Sequence, residues 1–374
     1  MNSFAHSPDI FIVGGGPAGL AAAILAVQRG YRVAVADYAR PPIDKACGEG
    51  LMPDTVEALK ALGIALGSDE TVPFRGIRFH DSTDGSSAAA RFATGEGVGL
   101  RRTVFHAKLV ERADTLGVAL LWGSRITLQN GQLVCEGWPV RSRWVIGADG
   151  EASRVRKWAG LEPTRYEKIR FGQRQHFRVA PWSDFVEVYW ARDCQIVVGP
   201  VGSEEVCVAV TSRSPGLKFA DALAQVPELA ARLRGTCPLD RVRGARAALR
   251  RLKRVYRHGF ALIGDASGSV DPLTGEGIGL GLKQAAALVK AIDGGDLRLY
   301  QAAHDRIGRM PRFMSRLMLI MDGHSRLRQR ALRALAAEPS LFSYLLNAQI
   351  ASPSESKFGL HDAARFGWRL VSAG

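Results

Sequence analysis

Apolar and polar positions divide the chain into three kinds of segment. Residues 9–13, 31–36, 144–146 and 260–263 are apolar almost throughout, which predicts strands buried on both faces, as in a parallel sheet. A helical stretch over 17–29 joins the first two runs and stops at Gly30, so the N-terminus reads as one βαβ unit. Residues 66–97, with turn chemistry at Asp84-Gly85-Ser86, and residues 169–213 alternate with a period of two and predict antiparallel strands. Shorter strands are predicted at 119–122, 126–128 and 133–135. Helical spacing predicts helices over 53–62, 101–115, 219–233 and 276–292, and helical structure from 296 onward. The expected architecture is α/β: a discontinuous Rossmann-like nucleotide-binding domain (residues 1–65, 98–165 and 255–295), a β-rich domain over the substrate (66–97 and 166–254), and a C-terminal helical region (296–374).

Three glycine–acid motifs each follow a predicted buried strand, and ligands of open α/β sheets bind at the carboxyl ends of their strands. The first is Gly14-x-Gly16-Pro17-Ala18-Gly19. Such glycines give a tight turn, close approach to a pyrophosphate and close packing of helix on strand. The pyrophosphate then rests on the helix N-terminus, where free amides and the helix dipole favour negative charge. Asp37 ends the second strand, where a carboxylate accepts hydrogen bonds from an adenosine ribose. Strand, helix, second strand and acid occur together, so a bound dinucleotide is the expectation. The second motif is Gly147-Ala148-Asp149-Gly150-x-x-Ser153-x-x-Arg156. The third runs from Gly264-Asp265-Ala266 through Asp271-Pro272-Leu273-Thr274-Gly275-Glu276-Gly277-Ile278.

Taken in order, the three motifs resemble the fingerprints of FAD-dependent monooxygenases of the aromatic-hydroxylase type, and equally those of the geranylgeranyl-reductase family, which shares their fold. The resemblance covers residues 9–292. It implies that the nucleotide is FAD, with Asp265 on its ribityl or pyrophosphate side, Arg102 on its phosphates, and Asp149 and Gly150 near both FAD and a nicotinamide cofactor, NAD(P)H. Pro272, Gly275, Gly277 and Ile278 are expected beside the isoalloxazine. Amides at the start of the helix there would stabilise the negative charge of reduced flavin.

Cys47-Gly48-Glu49-Gly50 is similar to a Cys-Gly stretch of geranylgeranyl-reductase-like proteins. It makes Cys47 a candidate redox or proton-relay group and Glu49 a candidate general acid, against a plain reading in which the glycines shape a loop and Cys47 is packed. Gln173 and Gln175 alternate on one strand face, and Tyr189-Trp190 before a glycine-containing strand is similar to the aromatic pair that shapes the apolar substrate tunnel in geranylgeranyl-reductase-like flavoproteins; these four are the candidate substrate residues. The Trp-x-Trp-x-x-Pro stretch of flavin-dependent tryptophan halogenases is absent.

Charge adds a question about partners. The 50 Lys and Arg exceed the 36 Asp and Glu by 14. Arg241, Arg243, Arg246, Arg250, Arg251, Lys253, Arg254 and Arg257 form one acid-free stretch, a candidate docking face for an acidic carrier protein. Arg306, Arg309, Arg312 and Arg316 alternate with methionines at helical spacing. That pattern fits either a helix packed on the domain or peripheral membrane contact through the C-terminal helices. No nucleic-acid motif accompanies the charge, and nucleic acid is not expected as a partner. Five scattered cysteines without a Cys-x-x-Cys pair suggest a reducing, cytoplasmic setting and no metal site.

The resulting expectation is an FAD-dependent oxidoreductase reduced by NAD(P)H. Two reactions compete: oxygenation of a small apolar, aromatic or polyketide-like substrate, which is favoured slightly, and reduction of isoprenoid or polyene double bonds. A non-catalytic redox or docking flavoprotein is the third possibility.

Overall fold

The computed structural model describes residues 7–162 and 168–350. The strand Ile10–Val13 lies at the centre of a six-stranded sheet, flanked in parallel by Val33–Asp37 and Trp144–Gly147. Ala119–Trp122 extends the sheet on one side and Phe260–Leu262 on the other, both parallel, and Tyr256–Arg257 closes an edge antiparallel. All four residues of Ile10–Val13 are buried, as a strand covered by helices on both faces requires.

Two helices that carry motifs meet over this sheet. Pro17–Val27 follows the glycine loop, and Gly277–Asp293 follows the third motif. Small residues set their approach. A Cβ on Gly281 or Gly264 would stand only 3.0 or 3.1 Å from the Cβ of Ala18. Gly30, at φ +84°, ends the first helical stretch in the left-handed region open to glycine.

The second sheet has eight strands. Lys168–Arg178, Glu205–Ser212, Cys194–Gly202 and Val186–Trp190 run antiparallel in that spatial order, with Arg243–Arg251 beside the first of them. The hairpin Gly76–Asp81 and Ser87–Arg91 is added beyond Val186–Trp190. Gly97–Gly99 instead joins Gly50–Leu51 and Val72–Phe74 in a small sheet between the two larger ones.

One expectation is corrected here. The single helix predicted over 219–233 is two, Phe219–Ala224 and Pro227–Arg232, because Pro227 has no amide to continue a helix and instead starts a new one. Of the basic stretch 241–257, Arg241, Arg243, Arg246, Arg251, Lys253, Arg254 and Arg257 are exposed, while part of the stretch is built into the sheet. Arg243–Arg251 is a sheet strand, and Arg250 is buried with its guanidinium on Glu151.

Leu297–Ile307, Arg309–Gly323, Ser325–Ala337 and Pro339–Ile350 are helices. Residues 351–374 of the predicted helical region lie outside the described residues. Met314, Met318 and Met321 are buried against Phe79, Val188, Leu335 and Phe342, so the inner side of Arg309–Gly323 packs on the β-rich sheet. No helix among the described residues is long and apolar enough to cross a membrane.

Candidate active site

The three motifs converge on one cavity of about 830 Å³. The glycines of the first motif divide their work. Gly14, at φ +112°, leaves no room for a side chain beside the Ala148 carbonyl, and Gly19 is pressed against the Gly14 carbonyl. A Cβ on Gly16, by contrast, would meet nothing within 4 Å, so its backbone borders open space. Asp37 fixes this loop to the second strand, its carboxylate accepting from Gly15 N at 2.7 Å and Ala39 N at 2.8 Å. His106 adds an anchor the sequence reading missed. Its Nδ1 accepts from Ile43 N and its Nε2 donates to the Gly15 carbonyl at 2.8 Å. Burial lowers its pKa, which suits the neutral ring those bonds require.

Gly14, Gly16, Pro17, Ala18, Asp37, Arg102, Asp149, Gly150, Gly264, Asp265, Pro272, Gly275, Gly277 and Ile278 all line the cavity. Gly19 lies behind it as a packing residue. Asp149 is committed to its own chain: it accepts from Ser153 Oγ and from the amides of Arg154 and Val155, holding the turn into Arg154–Trp158. Arg156 ties the second motif to the third through a 3.1 Å bond to the Ala266 carbonyl. Asp265 meets Lys45 at 2.8 Å. Burial works against its charged form, but Lys45 and then Arg102 outweigh burial and hold its pKa below the ordinary carboxylate value.

These residues fit FAD. The Nε of Arg102 is buried without a partner beside Lys45 and the glycine loop, a donor positioned for an anion. The Cβ positions of Gly16, Gly150 and Gly277 all face open space, leaving backbone available at both ends of the cavity. Gly277 also begins a 17-residue helix, whose N-terminal amides favour a negatively charged ring.

A buried polar network backs the Cys47–Gly50 loop. Glu49, at φ +58°, is 3% exposed. One carboxylate oxygen accepts from Arg102 N at 2.9 Å; the other meets His176 Nε2 at 2.6 Å. His176 Nδ1 reaches Asp240 at 2.8 Å, and Arg174 binds Asp240 and Asp44, each at 2.6 Å. Glu49 borders the cavity with both oxygens engaged, by Arg102 N and His176, an arrangement that also lets it hold the loop in position. Cys47 also lines the cavity and is partly exposed. Glu49, His176 and Cys207 lie close enough to suggest a cation site, but Arg174 stands 4.0 Å from Glu49 and supplies positive charge there already.

The substrate residues need correction. Gln173 touches the cavity, but Gln175 does not; its amide bonds the Asp240 carbonyl. The opposite face of that strand, with Arg170, Gly172, Arg174 and His176, turns toward the site, as period-two alternation dictates. Tyr189 bonds Glu187 and stacks on His80, away from the cavity. Trp190 is buried behind it against Phe79 and Arg328. Their strand contributes Val186 and Val188 instead. Beyond the third motif the wall is apolar. Phe74, Ile77 and Phe79 face Met314, Leu317, Met318 and Met321, with Leu335, Phe342, Leu345 and Leu346 at the helical end. Arg170 locks this end to the third motif by joining Asp271 at 3.3 Å to Asp322 at 2.8 Å.

The FAD binding domain family matches residues 7–293. The chain belongs to that family. This FAD-binding protein is 32% identical over 307 residues to the digeranylgeranylglycerophospholipid reductase 1 of Methanopyrus kandleri, covering 73% of this chain and 77% of the relative. It is 28% identical over 346 residues to the menaquinone reductase of Mycobacterium tuberculosis strain H37Rv, covering 84% of each. Its fold matches that of a probable FAD-dependent monooxygenase from Pseudomonas aeruginosa at a TM-score of 0.65 and 21% identity, over 88% of this chain and 96% of that one. The protein is an FAD-dependent oxidoreductase, and both expected reactions are represented among the proteins it resembles.

Proposed function

We propose that the protein reduces a carbon–carbon double bond in the polyprenyl chain of a lipid, with NAD(P)H supplying electrons through FAD. The observation that carries this reading is the apolar compartment continuing from the third motif to Phe342, Leu345 and Leu346. It offers aliphatic, aromatic and thioether surface over a long path, which suits a hydrocarbon chain better than a compact hydroxylated ring. The two polyprenyl-lipid reductases it resembles, aligned over most of their length, support the same choice.

Bound FAD would supply a two-electron carrier that accepts hydride from reduced nicotinamide and passes it to one alkene carbon. The protein's residues do the rest. Arg102 and the amides after Gly16 hold the phosphates, and Asp265 with Lys45 borders the same wall. The amides at Gly277 place positive potential where the ring gains charge. Cys47, partly exposed in the cavity wall, is assigned the proton for the second alkene carbon, since both oxygens of Glu49 are taken. The five unpaired cysteines support a reducing, cytoplasmic setting.

Oxygenation of the same apolar substrate class is the second reading. It is favoured by the apolar wall beside the third motif, which would limit water around the substrate. Isotopes separate the two. Holoprotein is mixed with NADPH or NADH and a polyprenyl quinone, under nitrogen and under ¹⁸O₂. A product formed under nitrogen that remains two mass units heavier after the quinol is chemically reoxidised to quinone, with both added hydrogens in the polyprenyl chain, supports reduction of the double bond. Product that forms only under ¹⁸O₂ and carries ¹⁸O supports oxygenation and overturns the reductase.

A further inference from the structure

The helix Arg309–Gly323 has two unlike faces. Met314, Met318 and Met321 turn inward to the apolar cavity. Arg309, Phe313, Arg316 and Ile320 recur at intervals of four, three and four, and form one exposed stripe. Phe313 is 45% exposed and Ile320 is 47% exposed, among the largest apolar exposures in the described residues.

The charge along this stripe and beyond it is mostly of one sign, with Asp305 one turn before Arg309. From residue 306 to 337 the sequence contains a single acid, Asp322, and it is buried against Arg170 and Gln195. Arg306, Arg309, Arg316, Arg326 and Arg330 are exposed, and none forms an ion pair among the described residues. One of them sits against the helix dipole. Arg326 occupies a first turn that carries no acid, where positive charge is disfavoured. Helix stability gives no reason for arginine there; attraction to an anionic partner does.

We propose that the outer face of Arg309–Gly323, extended by Arg326 and Arg330, docks the protein on the anionic headgroup layer of a lipid bilayer. Arginines would engage headgroup phosphates while Phe313 and Ile320 enter the boundary with the acyl chains. The alternation of arginine with exposed apolar side chains favours a bilayer over an acidic protein, which would match the charge but give no apolar depth. The site is separate from the one that binds FAD, so it stands whichever reaction the cavity performs.

The test is co-sedimentation of the full-length holoprotein with vesicles of phosphatidylcholine containing about 30% phosphatidylglycerol, beside vesicles of phosphatidylcholine alone. Binding is expected only to the anionic vesicles, and to weaken strongly between about 0.1 and 0.5 M salt. Each neutralised arginine is expected to weaken it about fivefold. R309E/R316E is expected to abolish it while flavin absorbance and turnover of a detergent-dispersed substrate stay unchanged. F313S/I320S is expected to weaken binding in a way that salt does not mimic. R326Q/R330Q provides an independent check outside that helix. Absence of wild-type binding to anionic vesicles, or equal binding by wild type and R309E/R316E, overturns the proposal. Loss of turnover with vesicle binding intact would count against the assigned reaction instead.

Discussion

Glu49 and His176 meet at 2.6 Å inside the protein, although 127 positions separate them in the chain. The contact joins the Cys47–Gly50 loop to the underside of the eight-stranded sheet, and the other oxygen of Glu49 holds Arg102 at the start of its helix. One side chain thus fixes both the loop beside the flavin pocket and the residue with a donor free for its phosphates.

Replacing Glu49 with alanine should therefore damage fold and cofactor binding together. A buried network left with one member missing typically loses about 3–5 kcal/mol. E49A should lower the unfolding midpoint sharply, whereas E49Q, which can still accept from Arg102 N, should lose less and retain some flavin. Thermal melts with flavin fluorescence as a second readout check both. A catalytic acid predicts the reverse: normal stability with lost turnover.

Gly14 and Gly16 are two residues apart and should fail differently. G14A puts a side chain at φ +112° and against the Ala148 backbone, so little folded protein is expected. G16A places its methyl in open space at φ −74°, and its stability should change by less than about 1 kcal/mol. That methyl would stand where the pyrophosphate approaches, so FAD affinity should fall. Urea melts and flavin titration together distinguish the outcomes.

D265A should yield folded but colourless protein. The change removes the partner of Lys45 and one polar wall of the pocket, yet leaves the packing of Ala266 and Leu262 intact. Wild-type flavin occupancy in this variant would show that the third motif lies elsewhere than beside the cofactor.

His304 predicts an acid-sensitive fold. Burial lowers its pKa to about 4, and its Nε2 meets Ser267 at 3.0 Å behind the third motif. The unfolded chain takes up this proton near pH 6.5, while the native state resists until about 4. Stability is therefore full above 6.5 and falls between 6.5 and 4, by ~3 kcal/mol in all. H304Q should flatten that part of the profile relative to wild type in denaturant melts at stepped pH.

The nucleotide motifs were legible because their signal is local. A glycine run, a strand before it and an acid after the next strand can be read from neighbours in sequence. The substrate wall was not legible in that way. Gln173 and Gln175 looked like one polar face, yet the adjacent even-numbered face turns inward, and only the pairing of Lys168–Arg178 with its neighbours decides which. A signal was present, since Arg170, Arg174 and His176 alternate on one face of a strand, but nothing local reveals that Asp44, Glu49, Asp240, Asp271 and Asp322 gather there. Pro227 did mark the break between two helices. The aromatic pair at 189–190 misled because its resemblance to a tunnel-shaping pair pointed to the wall, whereas both rings fill space behind it.

The parallel sheet takes its central strand from residues 10–13 and one of its outer strands from 260–262, with the entire eight-stranded sheet's long strands encoded between them. A ribosome therefore releases the glycine loop and Asp37 long before it releases Asp265 or Gly277. During that interval the nascent chain has half a flavin cradle and nothing to close it. Capture of the cofactor is therefore expected among the last events in the protein's maturation, and C-terminally truncated chains ending before Phe260 are expected to hold no flavin.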